Sequence, residues 1–249
     1  VTMASGALAA VLIMPVFNTI YPRFSSLVAL GEESVQRIQY LFAAMLLQGL
    51  LLPFAAMSFV YGELIINVWT QDAKLSAEAG PLLGWLVLSA AANAMSIPAF
   101  ALQLAHGWTS LAVKACAVVS VLALPVYGYV THKHGLYGLV ICVLGAYALS
   151  TVITIPLTHR RYLPGLVWKL LLTVILPACA GAGLWAAALT VLPEPQGHRL
   201  VQFLWLVGYA MLGWMITIPL CIAVGRDWAM VGRAWDWCRT LTPGGAKRK

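Results

Sequence analysis

The chain has 249 residues, of which 61% are apolar and 9% charged, and its formal net charge is +7. A soluble domain carries about 45–50% apolar and about 25% charged residues, so this chain lacks the polar residues that a water-facing surface needs. The same figures exclude a disordered chain. The basic residues are scattered among connections rather than gathered on one face, which argues against nucleic-acid binding. The class that remains is an all-α, polytopic membrane helix bundle.

A hydrocarbon core about 30 Å thick needs roughly 20 apolar residues of helix. Seven stretches meet that measure: residues 1–21, 41–69, 80–105, 111–130, 136–157, 170–192 and 200–225. The first begins at Val1 with no basic segment before it and no clear cleavage pattern after it, so no signal peptide is expected. That abrupt start is what a fragment would show. The runs are too long and too continuously apolar for barrel strands, and in hydrocarbon a helix satisfies its own backbone. The connections are short and carry turn residues: Pro22 and Gly31, Gln71-Asp72, His106-Gly107, His134-Gly135, Pro164-Gly165 and Pro193-Glu194-Pro195. Short links make neighbouring spans antiparallel.

Alternating the connections between two sides sorts the 15 basic residues unevenly. Arg23, Arg37, Lys114, Arg160, Arg161, Lys169, Arg226, Arg233, Arg239, Lys247, Arg248 and Lys249 fall on one side. Lys74, Lys133 and Arg199 fall on the other. The richer side is expected to be cytoplasmic, with Val1 outside and Lys249 inside. The chain divides into a bundle over 1–225 and a basic tail over 226–249. That tail contains Trp228, Trp235 and Trp237 and is expected to lie on anionic headgroups.

Each span contains a proline: Pro15, Pro53, Pro98, Pro125, Pro156, Pro177 and Pro219. Proline removes a helix hydrogen bond and bends the helix, so bent helices around a cavity that changes shape are expected. Polar side chains within spans are costly against lipid and should face a helix or a wet cavity. They include the amides Asn18, Gln48, Asn67, Asn93, Gln103 and Gln202. Asn18, Tyr21 and Arg23 read as a cluster at the cytoplasmic end of the first span. Asn93 and Gln103, three turns apart, are placed to face one lumen. Glu63 is the acid well inside a span and the candidate for ion coupling; six residues from Trp69, it reads better as a shallow acid solvated from outside.

Cys116, Cys142, Cys179, Cys221 and Cys238 include no C-x-x-C pair, and four lie in apolar runs, so neither disulfides nor a metal site is expected. His132 and His134 lack a third ligand nearby. No G-x-S-x-G, H-E-x-x-H or P-loop is present, which argues against an enzyme. No cofactor is expected.

Three stretches resemble bacterial polysaccharide flippases of the multidrug/oligosaccharidyl-lipid/polysaccharide exporter superfamily. They are Pro15-Val-Phe-Asn-Thr-Ile-Tyr-Pro-Arg-Phe-Ser-Ser-Leu followed by Gly31-Glu32, then Leu64-Ile-Ile-Asn-Val-Trp-Thr-Gln-Asp, and Ala101-Leu-Gln-Leu-Ala-His-Gly-Trp-Thr-Ser-Leu. The resemblance covers roughly residues 1–165, and the second and third stretches resemble the O-antigen and related lipid-linked oligosaccharide transporters. It implies that these seven spans are the second lobe of a fourteen-helix flippase whose N-terminal lobe is missing. The implied activity is transfer of an undecaprenyl-diphosphate-linked oligosaccharide, such as an O-antigen repeat unit for lipopolysaccharide, across the bacterial inner membrane. The partners implied are that lipid-linked sugar, membrane lipids, the missing lobe and the polysaccharide polymerase machinery. Arg23, Lys114, Arg160 and Arg161 would meet the diphosphate; as positive-inside anchors they have an alternative role.

Three other functions fit less well. A drug or cation exporter of the same superfamily would favour deep acids in the cavity. A membrane glycosyltransferase or polymerase would need a larger, Arg-bearing outer loop. An accessory, non-transporting subunit would fit a half-length chain without deep charges.

Overall fold

The computed structural model describes residues 13–225. The first twelve residues of the first expected span and the whole 226–249 tail, with its three tryptophans, lie outside the described residues. All regular structure among the described residues is helical. In chain order the helices are α1 (Met14–Leu30), α2 (Glu33–Thr70), α3 (Ala73–Ala105), α4 (Ser110–Tyr162), α5 (Leu166–Leu170), a π-helical turn (Leu171–Ile175), α6 (Leu176–Leu189) and α7 (Arg199–Gly225). Residues Leu166–Leu189 form one rod of 24 residues. Among the described residues five helices are long and apolar enough to cross a membrane: α2, α3, α4, this rod and α7. The chain is therefore a multi-pass helical membrane protein.

Local chemistry explains where these helices stop. α1 ends at Gly31, whose φ of 69° is left-handed, with its N–H turned back to Leu27 and Val28. α2 ends at Gln71, also left-handed at φ 57°. The next residue starts α3: the Asp72 carboxylate accepts from the backbone N–H groups of Lys74 at 2.9 Å and Leu75 at 3.0 Å. Gly107 follows the end of α3 with φ 68°, α4 has Leu163 as its C-cap, and Gly165, with φ 80°, precedes α5 as its N-cap. The turn expected at Pro22 does not form. Pro22 lies inside α1, which continues to Leu30, and α2 begins at Glu33 rather than near 41. Hydropathy missed these polar helical extensions because it measures the apolar run and not the helix.

Bends do not fall where prolines alone would put them. Within the helices the backbone leaves helical φ/ψ at Tyr61 in α2 and at Gly135 in α4, and neither is a proline. Pro15 occupies a first-turn position of α1, whereas Pro177 lies inside the Leu166–Leu189 rod and leaves a carbonyl of the preceding turn without its N–H donor. The π turn ends just before Pro177. A proline ring clashes with the carbonyl four residues earlier, and the wider turn gives that carbonyl room.

α4 is a hairpin. A straight helix of its 53 residues would be about 80 Å long, far more than a bilayer. At Gly135 φ is 61° and ψ −151°, and the chain folds back. Trp108, just before α4, meets Tyr162, its last residue, with ring centroids 5.6 Å apart. A Cβ at Gly138 would lie 2.7 Å from the side chain of Val130, eight residues earlier. The legs are 110–134 and 136–162, so the fourth and fifth expected spans are two arms of one helical element.

α2 is the central helix and touches α1, α3, the π turn, α6 and α7, whereas α4 rests almost wholly on α3. Between membrane helices water supplies no hydrophobic force, so close backbone approach matters more. Gly62 of α2 packs on the Gly80 carbonyl of α3, and one turn on Gly84 receives the Phe59 ring. Gly181 of α6 packs on Thr217 of α7, and Gly213 of α7 on Trp185 of α6. One core cluster, around Phe24, Tyr40, Leu102, Ile155, Leu163 and Leu170, fills the end that carries Arg37 and Arg161. A second, around Met57, Tyr61, Trp185, Leu206 and Tyr209, fills the opposite end. The antiparallel order expected from the short links is thus present in the packing.

Candidate functional site

A recess with both apolar and polar walls lies between α3 and the two legs of the α4 hairpin. Its volume is about 630 Å³, within the range of about 300–1,000 Å³ usual for ligand sites. α3 contributes Asn93 and Ser96, the first leg Ser120 and Tyr127, and the second Tyr147, Ser150 and Thr154. No charged side chain lines it. The helical period puts these polar groups on common faces: Ser120 and Tyr127 are seven apart, and Tyr147, Ser150 and Thr154 follow at three and four. The Thr151 hydroxyl donates to the Ala92 carbonyl at 2.9 Å and ties the second leg to α3. An amide and several hydroxyls on an aromatic-bearing wall can hydrogen-bond a neutral polyhydroxylated group. They cannot neutralise a charge.

The expected site residues are scattered. Asn93 lines this cleft. Gln103 does not: it is fully buried, and its Nε2 donates to the Thr158 hydroxyl at 2.7 Å. These two residues therefore do not share a lumen. Gln48 similarly donates to the Ala91 carbonyl at 3.0 Å. Asn18 and Tyr21 are exposed on α1, with Tyr21 stacked on Phe17. Arg23 lies about 200° around the helix from Tyr21 and donates from Nε and Nη2 to the Gln39 amide oxygen of α2. The three do not form a cluster.

Lys114 and Arg160 are exposed. Arg161 lies over the Trp108 ring, 4.3 Å from its centroid, and beside Tyr162 at 5.5 Å. His106 stacks on Tyr162 at 4.0 Å. Burial first, and then the Arg161 charge, hold the His106 imidazole below its ordinary pKa, so the stacked ring is neutral at pH 7. Glu63 is exposed beside the Tyr61 bend, where its backbone packs against Gly80.

Two features of the basic end fall on the connections between the expected spans. Arg37 donates from Nη2 to Glu33 at 2.7 Å and from Nη1 to the Pro164 carbonyl at 2.9 Å, pinning α2 to the turn before α5. Tyr40 and His159 meet edge to face at 4.7 Å. The Tyr40 hydroxyl and both His159 nitrogens are buried without hydrogen-bond partners. A buried unpaired hydroxyl loses its hydration and gains nothing in return. Tyr40→Phe is therefore expected to leave the melting temperature in detergent unchanged or raise it, by up to about 1 kcal/mol in stability. A clear fall would reveal a partner for the hydroxyl.

The fold and cleft define a class, the multi-pass helical membrane bundle. No family model, curated protein or solved structure matches the chain.

Proposed function

We propose that the chain is a lobe of a membrane transporter that moves an undecaprenyl-diphosphate-linked oligosaccharide from the cytoplasmic to the periplasmic leaflet by alternating access. The observation that carries this reading is the uncharged cleft between α3 and the α4 hairpin, whose mainly apolar wall is interrupted by an amide and six hydroxyl side chains. A sugar head group needs hydrogen-bonding walls, and this cleft supplies them inside an otherwise apolar bundle. The reading counts seven crossings: α1, α2, α3, the two legs of α4, the rod Leu166–Leu189 and α7. It places the basic end, with Arg23, Arg37, Arg160 and Arg161, on the cytoplasmic side of the inner membrane. The hairpin rests mainly on α3, with further contacts at its basic end where His159 meets Tyr40 of α2, so it can rock against α3 about that end. A drug or cation exporter is less well supported, because no acid lines the cleft.

The test is a clean deletion in a strain without a redundant transporter. Lipid-linked repeat units are expected to accumulate in the cytoplasmic leaflet while surface polysaccharide falls. Complementation with Asn93→Leu/Ser150→Leu, which removes the cleft's amide and a hydroxyl from the hairpin leg, is expected to restore less than a tenth of the wild-type surface polysaccharide at equal expression. Normal polysaccharide in the deletion would refute the reading.

A further inference from the structure

A second recess lies between the second half of α2 and the first half of α7. Its volume is about 530 Å³. Phe54 and Met57 lie at its inner end, Phe203 and Val207 along its side, and Trp69 and Arg199 at its mouth. Arg199 is the one charged residue that lines it. Along α7 the recess spans residues 199–210, about 16 Å at 1.5 Å per residue. That matches one leaflet of the hydrocarbon core, about 15 Å. Trp69 is 60% exposed at the mouth, the position expected of an interface aromatic.

The cation is fixed in place. Arg199 donates from Nε to the Val68 carbonyl at 2.6 Å and from Nη2 to the Trp69 carbonyl at 3.1 Å. Both acceptors are last-turn carbonyls of α2, so these bonds cap the negative end of that helix and orient a guanidinium that has no carboxylate partner among the described residues. The ion pair recorded among the described residues is Arg37–Glu33, at the other end of α2. Glu194, on the connection leading to α7, makes no such pair with Arg199. An apolar slot one leaflet deep, closed by a held cation that no such carboxylate pairs, is complementary to one acyl chain beneath an anionic phosphate.

We infer that this recess binds a single anionic phospholipid, with its phosphate on Arg199 and one acyl chain between Phe54 and Phe203. A zwitterionic lipid carries its own ammonium beside the phosphate and gains less from Arg199. The lipid would sit here whether or not the cleft between α3 and the α4 hairpin carries a substrate.

The experiment is native mass spectrometry of the delipidated protein titrated with phosphatidylglycerol or phosphatidylcholine of identical chains. One phosphatidylglycerol is expected to bind at least about fivefold more tightly than phosphatidylcholine, the advantage of a single membrane-surface cation. Arg199→Gln is expected to abolish that preference, and Arg199→Lys to retain it. Val207→Trp fills the slot and is expected to weaken both lipids with Arg199 intact. Equal binding of the two lipids by the wild type overturns the inference, as does a preference that survives Arg199→Gln. Should Arg199→Gln fail to fold, the wild-type comparison and Val207→Trp still decide.

Discussion

Gly62→Ala and Gly80→Ala are each expected to destabilise the protein in detergent by about 2–3 kcal/mol, the upper part of the range for overpacking a tight core. The reason is what the added methyl would meet. At Gly62 it would run into the Gly80 carbonyl, and at Gly80 it would lie 2.6 Å from the Glu63 Cα and 2.7 Å from its nitrogen. Backbone cannot rotate out of the way as a side chain can. The two sites belong to one crossing, so the double variant should lose less than the sum of the singles. Gly145→Ala is the control, because a methyl there meets nothing within 4 Å. Melting temperatures for all four variants check the ranking. Equal melting of Gly62→Ala and Gly145→Ala would show that α2 and α3 do not approach this closely.

Gly135→Val is the second large effect. The conformation at Gly135, φ 61° and ψ −151°, belongs to a region populated essentially by glycine, and forcing another residue into it costs about 1–3 kcal/mol. A β-branched side chain adds crowding of its own. The variant is expected to loosen or open the hairpin. Spin labels at Lys114→Cys and Arg160→Cys, in a protein otherwise free of cysteine, report this directly. A straight helix would separate those positions by about 70 Å, and the folded-back hairpin brings them to the same end. The wild type is expected to give a short, narrow distance distribution and Gly135→Val a longer, broader one. A long wild-type distance would show that α4 does not reverse.

Much of this architecture follows from chemistry written along the chain. Continuous apolar runs mark the helices, and Gly31, Gln71-Asp72, His106-Gly107 and Pro164-Gly165 mark their ends, because each supplies a left-handed residue or a cap. Pro22 misled because a helix tolerates proline when neighbouring helices hold it. The amides were traceable as polar groups needing partners, yet sequence could not separate Gln103, closed off by Thr158, from Asn93, open to the cleft. That difference depends on which face of α3 the second leg of α4 covers. The cleft itself was missed because most of its polar groups are hydroxyls. Serine, threonine and tyrosine pass unnoticed in apolar runs, since each can satisfy itself locally, as Ser96 does by donating to the Asn93 carbonyl at 2.7 Å. Their spacing at Ser120 and Tyr127, and at Tyr147, Ser150 and Thr154, was the available signal.

The reversal at Gly135 also bears on how the polypeptide is threaded during synthesis. Because the two feet of the hairpin stand together, at Trp108 and Tyr162, it adds an even number of passages or none. Whether it is inserted early, late or not at all, the parity of everything downstream is the same. The rod from Leu166 and the helix from Arg199 therefore take their direction from the segments before Ala105 and from their own basic flanks.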